Sequence, residues 1–266
     1  MRCATIAATI LGVAAATGVA RASNAEAFAE GNRLYRAAAE AEGETRRATY
    51  LRAAEAYARA AAEVENAYVY YNLGNAYYRA GELGRAIAAY RRAEILAPRN
   101  GAVRRNLALA REGAPGGATA PKPHPAAAAF FFWHYALSLG EVETLAAFAF
   151  VLCMAALSVR LFAPARHRGR LRITGIALGV LAVTFVLSSL VKLTSSELDG
   201  AVVVTEAAVR SEPAGRAVEI HVLRVGAEVR SLGSSGAWTR IEWGKGNRGW
   251  VESSALEVLA HAPPLQ

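Results

Sequence analysis

Side chains that could act as nucleophiles, general acids or metal ligands are dispersed along this chain instead of being grouped. None of the histidines lies at a metal-ligand spacing or beside a plausible nucleophile and acid. The five histidines are His124, His134, His167, His221 and His261. Both cysteines, Cys3 and Cys153, lie inside apolar segments, so no disulfide framework or thiolate metal site is expected. The pattern predicts no enzyme, no metal site and no cofactor.

A glycine-rich stretch from Gly244 to Gly249 has the spacing GxGxxG, which cradles a pyrophosphate in dinucleotide-binding proteins. That chemistry requires a strand before the motif and a helix after it. Here Trp250 and Val251 continue as strand-like residues. The stretch is therefore predicted to be a hairpin turn.

The segment 23–112 has apolar and aromatic residues at helical spacing and contains an internal repeat. Small residues, aromatics and a proline fall over 67–100 at the positions of a tetratricopeptide (TPR) unit, which is about 34 residues long. They are Tyr70, Leu73, Gly74, Tyr77, Ala86, Tyr90, Ala93 and Pro98. In that motif small residues let two antiparallel helices approach closely, aromatics fill the gaps, and the proline ends the second helix. The segment is predicted to be an all-α TPR solenoid.

An earlier repeat is indicated by residues that precede their counterparts in 67–100 by 33 positions. They are Ala53, Tyr57 and Ala60. The matching first helix holds Phe28, Gly31 and Tyr35. The turn around 40–47 is predicted to be longer than the motif allows, and 101–112 is predicted to be a lone helix that closes the stack.

Repeats of this type expose their first helices on a concave face, where a partner can bind. In this chain that face is predicted to carry aromatic, amide and arginine side chains. They are Tyr68, Tyr71, Asn75, Tyr78 and Arg79, joined by Arg105 and Asn106 from the closing helix. This combination suits an extended peptide or a terminal carboxylate. The alternative is an ordinary amphipathic surface with some of the tyrosines packed inside.

Residues 1–22 have the pattern of a secretory signal peptide. The segment begins with Arg2, is apolar over 6–19 and has small residues before a predicted cleavage after Ala22. An uncleaved signal anchor is the alternative. In either case the segment that follows is exported.

Two apolar runs follow a proline- and alanine-rich linker at 113–137. The linker ends in an aromatic cluster, which suits the headgroup region of a bilayer unless it forms a core. A capping box between Ser138 and Glu141 starts the first run. Transmembrane helices are predicted at 138–162 and 172–193.

The net charge of +8 is concentrated around the predicted loop at 163–171. Between 160 and 172 there is no acid, and there are five arginines: Arg160, Arg166, Arg168, Arg170 and Arg172. A nucleic-acid-binding surface would spread its charge more widely, so nucleic acid is not an expected partner. By the positive-inside rule the loop is predicted to be cytoplasmic. The flanking segments then lie outside, in agreement with the signal peptide.

Short alternating strands separated by turn residues fill 200–260. The predicted strands are Ala201–Thr205, Val218–Leu223, Glu228–Leu232, Thr239–Trp243 and Gly249–Val251. A small all-β barrel is the simplest fold for this pattern.

Three features of this segment carry a family resemblance. They are the stretch Val209-Arg210-Ser211-Glu212-Pro213, then Gly226 and Trp238, and finally Gly249-Trp250-Val251. They resemble the VRSGP loop and the later G, W and GWV positions of bacterial SH3 (SH3b) domains, with Glu212 in place of the loop glycine. The resemblance implies an SH3-like barrel in which Trp238 and Trp250 either pack at the rim or form a ligand platform.

The sequence YNLGNAYY at 71–78 and the sequence NLALARE at 106–112 stand in a distinctive order of segments. That order is signal peptide, repeats, aromatic-led membrane hairpin and barrel. It resembles the BatE family of the Bat aerotolerance operons. The resemblance implies a bacterial inner-membrane protein with periplasmic TPR and SH3b domains. Its implied partners are membrane proteins with von Willebrand factor A domains and a MoxR-type ATPase.

The features together predict a membrane-anchored scaffold for protein–protein interaction. Its expected partners are Bat-type membrane proteins and the lipid bilayer. The alternative is a cell-wall sensor that binds peptidoglycan peptides through the barrel.

Overall fold

The computed structural model describes residues 24–117, 129, 131–194, 200–244 and 246–259. The predicted signal peptide and residues 118–128 and 130 of the proline-rich linker lie outside the described residues. The chain divides into two compact units. One contains the helical repeats and a β-sheet, and the other contains the two apolar helices with the aromatic segment before them.

Five helices make up the described part of the repeat region, as the periodicity predicts. They are α1 (24–40), α2 (Gly43–Glu63), α3 (Ala67–Arg79), α4 (Leu83–Leu96) and α5 (Gly101–Gly113). Asparagines cap two of them. The Asn66 side chain accepts from the Tyr68 N–H, and the Asn100 side chain accepts from the N–H groups of Ala102 and Val103. Each cap satisfies amides that have no partner inside the helix.

The two repeats share one packing feature, a glycine on the first helix beneath a tyrosine on the second. A Cβ added to Gly74 would lie 2.6 Å from ring carbons of Tyr90, and one added to Gly31 would lie 2.6 Å from those of Tyr57. Both rings are fully buried. The two tyrosine hydroxyls donate to the asparagines that follow these glycines. This equal geometry supports an earlier repeat in α1 and α2.

The first repeat is longer than the second, but its turn is short. Only residues 41 and 42 separate α1 from α2, so the long turn predicted over 40–47 is not present. The additional residues extend α2 to 21 residues, against 14 in α4. A helix accommodates extra residues well because each one adds an internal hydrogen bond.

The described C-terminal residues form one antiparallel sheet of seven strands, in the order β3-β2-β6-β5-β4-β1-β7. The strands are β1 (Gly200–Val203), β2 (Ala207–Arg210), β3 (Glu219–Leu223), β4 (Glu228–Ser235), β5 (Trp238–Trp243), β6 (Asn247–Glu252) and β7 (Leu256–Val258). Side chains alternate between the two faces of a strand. The core lies on the face that carries Val209, Ile241 and Val251, which are inaccessible to solvent.

The hydrogen-bonded sheet is open, so the predicted closed barrel is not shown. β3 and β7 form its edges, and the five predicted strands do not include β2 or β7. These two strands are four and three residues long, too short for a clear alternation. They are held by pairing with distant segments instead.

Within the first unit the sheet packs against α4 and α5 at glycines. A Cβ added to Gly84 would lie 2.6 Å from the Val203 carbonyl oxygen, and one added to Gly226 would lie 2.5 Å from the Ala114 Cβ. Gly226 also has a φ of 90°, which only glycine adopts freely. Val202 completes the buried cluster formed by these two helices. The repeats and the sheet therefore share a core.

An ion-pair network joins the same elements. Glu228 on β4 lies 3.1 Å from Arg91 Nε of α4 and 2.7 Å from Arg111 Nη2 of α5. The arginine side chains are 17% and 12% exposed, and the glutamate is 25% exposed. Partial burial strengthens these attractions relative to surface pairs.

The second unit is a helical hairpin that follows a short aromatic helix. Its helices are α6 (Phe132–Ala136), α7 (Leu139–Phe162) and α8 (Ala165–Thr194). The predicted capping box is confirmed, because the Ser138 hydroxyl accepts from the Glu141 N–H and the Glu141 carboxylate accepts from the Ser138 N–H. The spans Leu139–Phe162 and Ala165–Leu193 are long and apolar enough to cross a membrane.

Small residues bring α7 and α8 close together. A Cβ added to Gly175 would lie 2.8 Å from Leu157, and the Cys153 thiol donates to the Gly175 carbonyl at 3.1 Å. Only Ala163 and Pro164 separate the two helices. The arginines predicted to lie in a loop at 163–171 are therefore helical from α8's first turn onward. Arginine is a good helix former, and a proline at a helix start is well tolerated.

Candidate functional site

A cavity of about 290 Å³ opens on the repeat helices where the concave face is predicted. It draws its lining from α1, α3, α4 and α5. The lining residues are Tyr35, Tyr71, Asn75, Tyr78, Arg79, Tyr90, Asn106 and Leu109. Five of the seven predicted groove residues therefore lie together. They are Tyr71, Asn75, Tyr78, Arg79 and Asn106.

A hydrogen-bond network holds the floor of this cavity. Asn75 Oδ1 accepts from the Tyr90 hydroxyl at 2.7 Å and from Asn106 Nδ2 at 2.9 Å. Asn106 Nδ2 also lies 3.2 Å from the Tyr71 hydroxyl. Burial raises the pKa of the Tyr90 phenol, so Tyr90 remains a donor. Because the oxygen of Asn75 is used inside the network, its amide nitrogen is left to donate to a ligand. That nitrogen has no partner among the described residues.

Arg79 supplies the positive charge of the cavity. A hydrogen bond with Tyr35 raises the pKa of the Arg79 guanidinium, which stays charged at all ordinary pH values. No carboxylate in the described part of the chain forms an ion pair with it. A cation next to a free amide donor and two tyrosines, Tyr71 and Tyr78, can bind a carboxylate or a peptide backbone.

Two predicted groove residues do not line the cavity. Tyr68 is 63% exposed, and its ring packs against Phe28, with centroids 5.6 Å apart. Arg105 is exposed and lies over the start of α5 beside Gly101. Position within a repeat does not reveal how the adjacent repeat covers a side chain.

Three lining residues were missed as groove residues: Tyr35, Tyr90 and Leu109. The periodic pattern identifies Tyr35 and Tyr90 as motif residues, yet their motif role is packing. Each ring packs between helices, and the hydroxyl at the end of the side chain reaches the cavity. Nothing in the sequence distinguishes Leu109 from other residues of its helix.

The tryptophans of the predicted SH3b surface lie on the outward face of the sheet. On β5 and β6, Trp238 pairs with Glu252, and Trp250 pairs with Arg240. Trp250 is also opposite Arg210 on β2. Residues two apart on a strand share a face, so the two tryptophans are diagonal neighbours, and Trp250 lies between Arg210 and Arg240. Both are partly buried.

The glycine-rich stretch begins directly after β5 and continues into β6, and these two strands pair antiparallel, with Trp243 opposite Asn247. The predicted hairpin is confirmed. No group of histidine, cysteine or acidic residues in the described ranges could hold a metal ion.

The sequence profile of the tetratricopeptide repeat family matches residues 67–100, the unit predicted from the periodic positions. The match covers one repeat and not the whole chain. Comparison with curated proteins and with solved structures gives no significant match. A repeat of this family indicates protein–protein interaction.

Proposed function

We propose that this chain is a membrane-anchored scaffold whose repeat groove binds the carboxylate end or an extended segment of a protein partner. The observation that carries the proposal is the cavity that contains Arg79 and the amide nitrogen of Asn75. Among the described residues Arg79 has no carboxylate partner, although it bonds to Tyr35, and the Asn75 amide nitrogen has no hydrogen-bond partner. Peptide carboxylates and carbonyls are acceptors of matching chemistry.

The apolar helices α7 and α8 support the anchoring part of the proposal. Their contacts make an antiparallel hairpin, since Gly175 packs near Cys153 and Ser189 lies near Glu143. A membrane-inserted hairpin has both ends on one side. We place its arginine-rich turn in the cytoplasm by the positive-inside rule, and both flanking domains in the periplasm.

The finer proposal is a component of a Bat-type complex in a bacterial inner membrane. It rests on the order of repeats, aromatic-led hairpin and β-domain and on the sequences at 71–78 and 106–112. Under this proposal the groove would bind membrane proteins with von Willebrand factor A domains.

A second candidate is a cell-wall sensor that acts through an SH3b-like β-domain. The observation in its favour is the pair Trp238 and Trp250 on one outward face, with Arg210 and Arg240 beside Trp250. Aromatic rings flanked by cations suit a short peptide with a free carboxylate.

The groove is tested by measuring the binding of the full chain, in detergent, to an array of peptides with free carboxyl termini. The same peptides with amidated termini form the comparison set. We expect carboxylate peptides to bind more tightly. Arg79→Gln should weaken them by roughly tenfold, because a hydrogen bond to a charged group is lost. Arg104→Gln removes an exposed arginine from α5 and is the matched control.

Equal binding of acid and amide peptides, or equal loss in both variants, would contradict a carboxylate groove.

The second candidate is separated by a cell-wall pull-down with the same full chain. Retention on purified cell wall that disappears in Trp250→Ala and survives in Arg79→Gln would favour the sensor.

A further inference from the structure

The turn of the α7–α8 hairpin carries a dense positive charge next to apolar side chains. Its five arginines are Arg160 at the end of α7 and Arg166, Arg168, Arg170 and Arg172 at the start of α8. The four on α8 are exposed. No acidic residue occurs between 160 and 172.

These guanidinium groups use few of their donors inside the protein. Arg168 Nε donates to the Ala163 carbonyl at 2.9 Å, and Arg166 Nε donates to His167 Nε2 at 2.9 Å. Arg160 Nε is shielded from solvent and has no hydrogen-bond partner among the described residues. Each guanidinium has five N–H groups. Most donors of the four exposed arginines on α8 are therefore available to an outside acceptor.

Helix geometry distributes the four arginines of α8 over two opposite faces. Residues four apart share a face, and residues two apart are about 200° apart around the axis. Arg166 and Arg170 therefore form one stripe, and Arg168 and Arg172 form the other. Such an arrangement matches acceptors that surround the helix on both sides, as headgroups do in a bilayer.

Apolar surface adjoins this charge. A cavity of about 530 Å³ at the turn is lined by Val159, Phe162, Ala163, Pro164, His167, Arg170 and Leu171. Phe162 is 89% exposed and Leu161 is 71% exposed. The ligand that fits has an anionic head for the arginines and a hydrocarbon chain for Phe162.

We propose that the hairpin turn binds anionic phospholipids, with the phosphodiester headgroup on the arginines of α8 and an acyl chain in the cavity beside Phe162. Each arginine near a negatively charged leaflet adds to the attraction. Bound lipid would fix the depth and orientation of the hairpin. This inference rests on the proposed membrane anchoring.

The test uses the full chain in nanodiscs that mix phosphatidylcholine and phosphatidylglycerol. After release with mild detergent, native mass spectrometry counts the lipids that stay bound. We expect phosphatidylglycerol to be enriched over its share in the disc by roughly tenfold. Enrichment should be lost in the variant Arg166→Gln/Arg168→Gln/Arg170→Gln/Arg172→Gln.

The matched control removes four exposed arginines from the repeats. It is Arg33→Gln/Arg36→Gln/Arg52→Gln/Arg104→Gln, and it should retain phosphatidylglycerol like the native chain. If the native chain retains the two lipids in the ratio in which the nanodisc contains them, the proposal is overturned without any variant. Displacement by inorganic phosphate, but not by sodium chloride of equal ionic strength, would assign the site to free phosphate and also overturn it.

Failure of anchoring itself is distinguishable. Proteoliposomes of either lipid are washed with alkaline carbonate. Loss of the native chain from both kinds of vesicle would overturn the membrane hairpin on which the inference depends. Retention in both, without enrichment of phosphatidylglycerol, would overturn the lipid site alone.

Discussion

Gly74 and Gly31 set the distance between the helices of each repeat. At both positions the space of a side chain is filled by the ring of a buried tyrosine. Alanine is a better helix former than glycine by about 1 kcal/mol. Packing decides the outcome here, since a buried ring cannot give way by the required amount.

Gly74→Ala is therefore expected to lower the free energy of unfolding by about 1–3 kcal/mol, the usual effect of overpacking. Chemical denaturation of the full chain in detergent measures it. Gly101→Ala is the control, because its Cβ would meet only the flexible end of Arg105 at 3.2 Å. A stabilised Gly74→Ala protein would contradict this account of the repeat.

The buried tyrosines also predict the alkaline stability of the repeats. Burial raises the pKa of Tyr57 from 10.0 to about 12. A group whose pKa is raised on folding stabilises the folded state as long as the group is protonated. Its contribution is complete below the unfolded pKa and is lost as pH rises from 10 towards 12.

Between neutral pH and about pH 10 Tyr57 should accordingly leave the denaturation midpoint unchanged, and above pH 10 the midpoint should fall. Tyr57→Phe is expected to lower stability at neutral pH, because it loses the hydrogen bond to Asn32. It should also reduce the alkaline decline, because one of the titrating groups is removed. Parallel decline in both proteins would show that Tyr57 does not titrate as its burial implies.

At the scale of elements, the first turn of α8, next to the connection with α7, allows a direct test of the proposed topology. His167 is exposed in the first turn of α8, so a cysteine there is accessible from one side of a membrane. In a Cys3→Ser/Cys153→Ala background, His167→Cys should resist a membrane-impermeant thiol reagent in intact spheroplasts. Arg216→Cys, exposed between β2 and β3, should react. The reverse result would invert the orientation.

The arginines of α8 also show how the observed helix differs from the loop that the sequence pattern predicts. Their charge makes 163–171 look like a loop between two spans. Arginine has a high helix propensity, however, and continuing the helix satisfies the backbone groups that a loop would expose. The arginines thus show where the apolar part of α8 begins, while backbone hydrogen bonding determines that the helix itself begins earlier, at Ala165.

At the scale of the first unit, the repeats and the sheet are joined by a common core and by Glu228. We expect them to unfold in one transition. In a Trp133→Phe background the remaining tryptophans, Trp238, Trp243 and Trp250, all lie in the sheet. Their fluorescence should change in the same transition as the circular dichroism that the repeat helices lose on unfolding. Glu228→Gln should lower stability by roughly 1–2 kcal/mol, because partly buried Arg111 loses its counter-ion and Arg91 keeps only Glu94.

Glu242→Gln is the control for this change. Glu242 pairs with Arg248, whose side chain is 59% exposed, and an exposed pair contributes little. A Glu228→Gln protein that is as stable as the control would show that the apolar contacts alone join the sheet to the repeats. Separate transitions in the native chain would contradict a shared core.

The sequence by itself determined the features that depend on residues close along the chain. These are the tetratricopeptide unit at 67–100, the two apolar helices, the capping box at Ser138 and the hairpin at 244–249. Periodicity, capping and turn formation are local, so the residue pattern carries them. Five of the seven groove residues followed from the same periodicity, since the repeat fixes which side of α3 faces inward.

Only the tertiary structure decided how distant segments meet. It placed Tyr35 and Leu109 in the cavity, directed Tyr68 and Arg105 away from it, and left the sheet open. It also packed the sheet on α4 through Gly84, a residue that looks ordinary in the sequence. These outcomes depend on contacts between residues far apart in the chain. The local sequence around one residue does not identify the distant residue that it will contact.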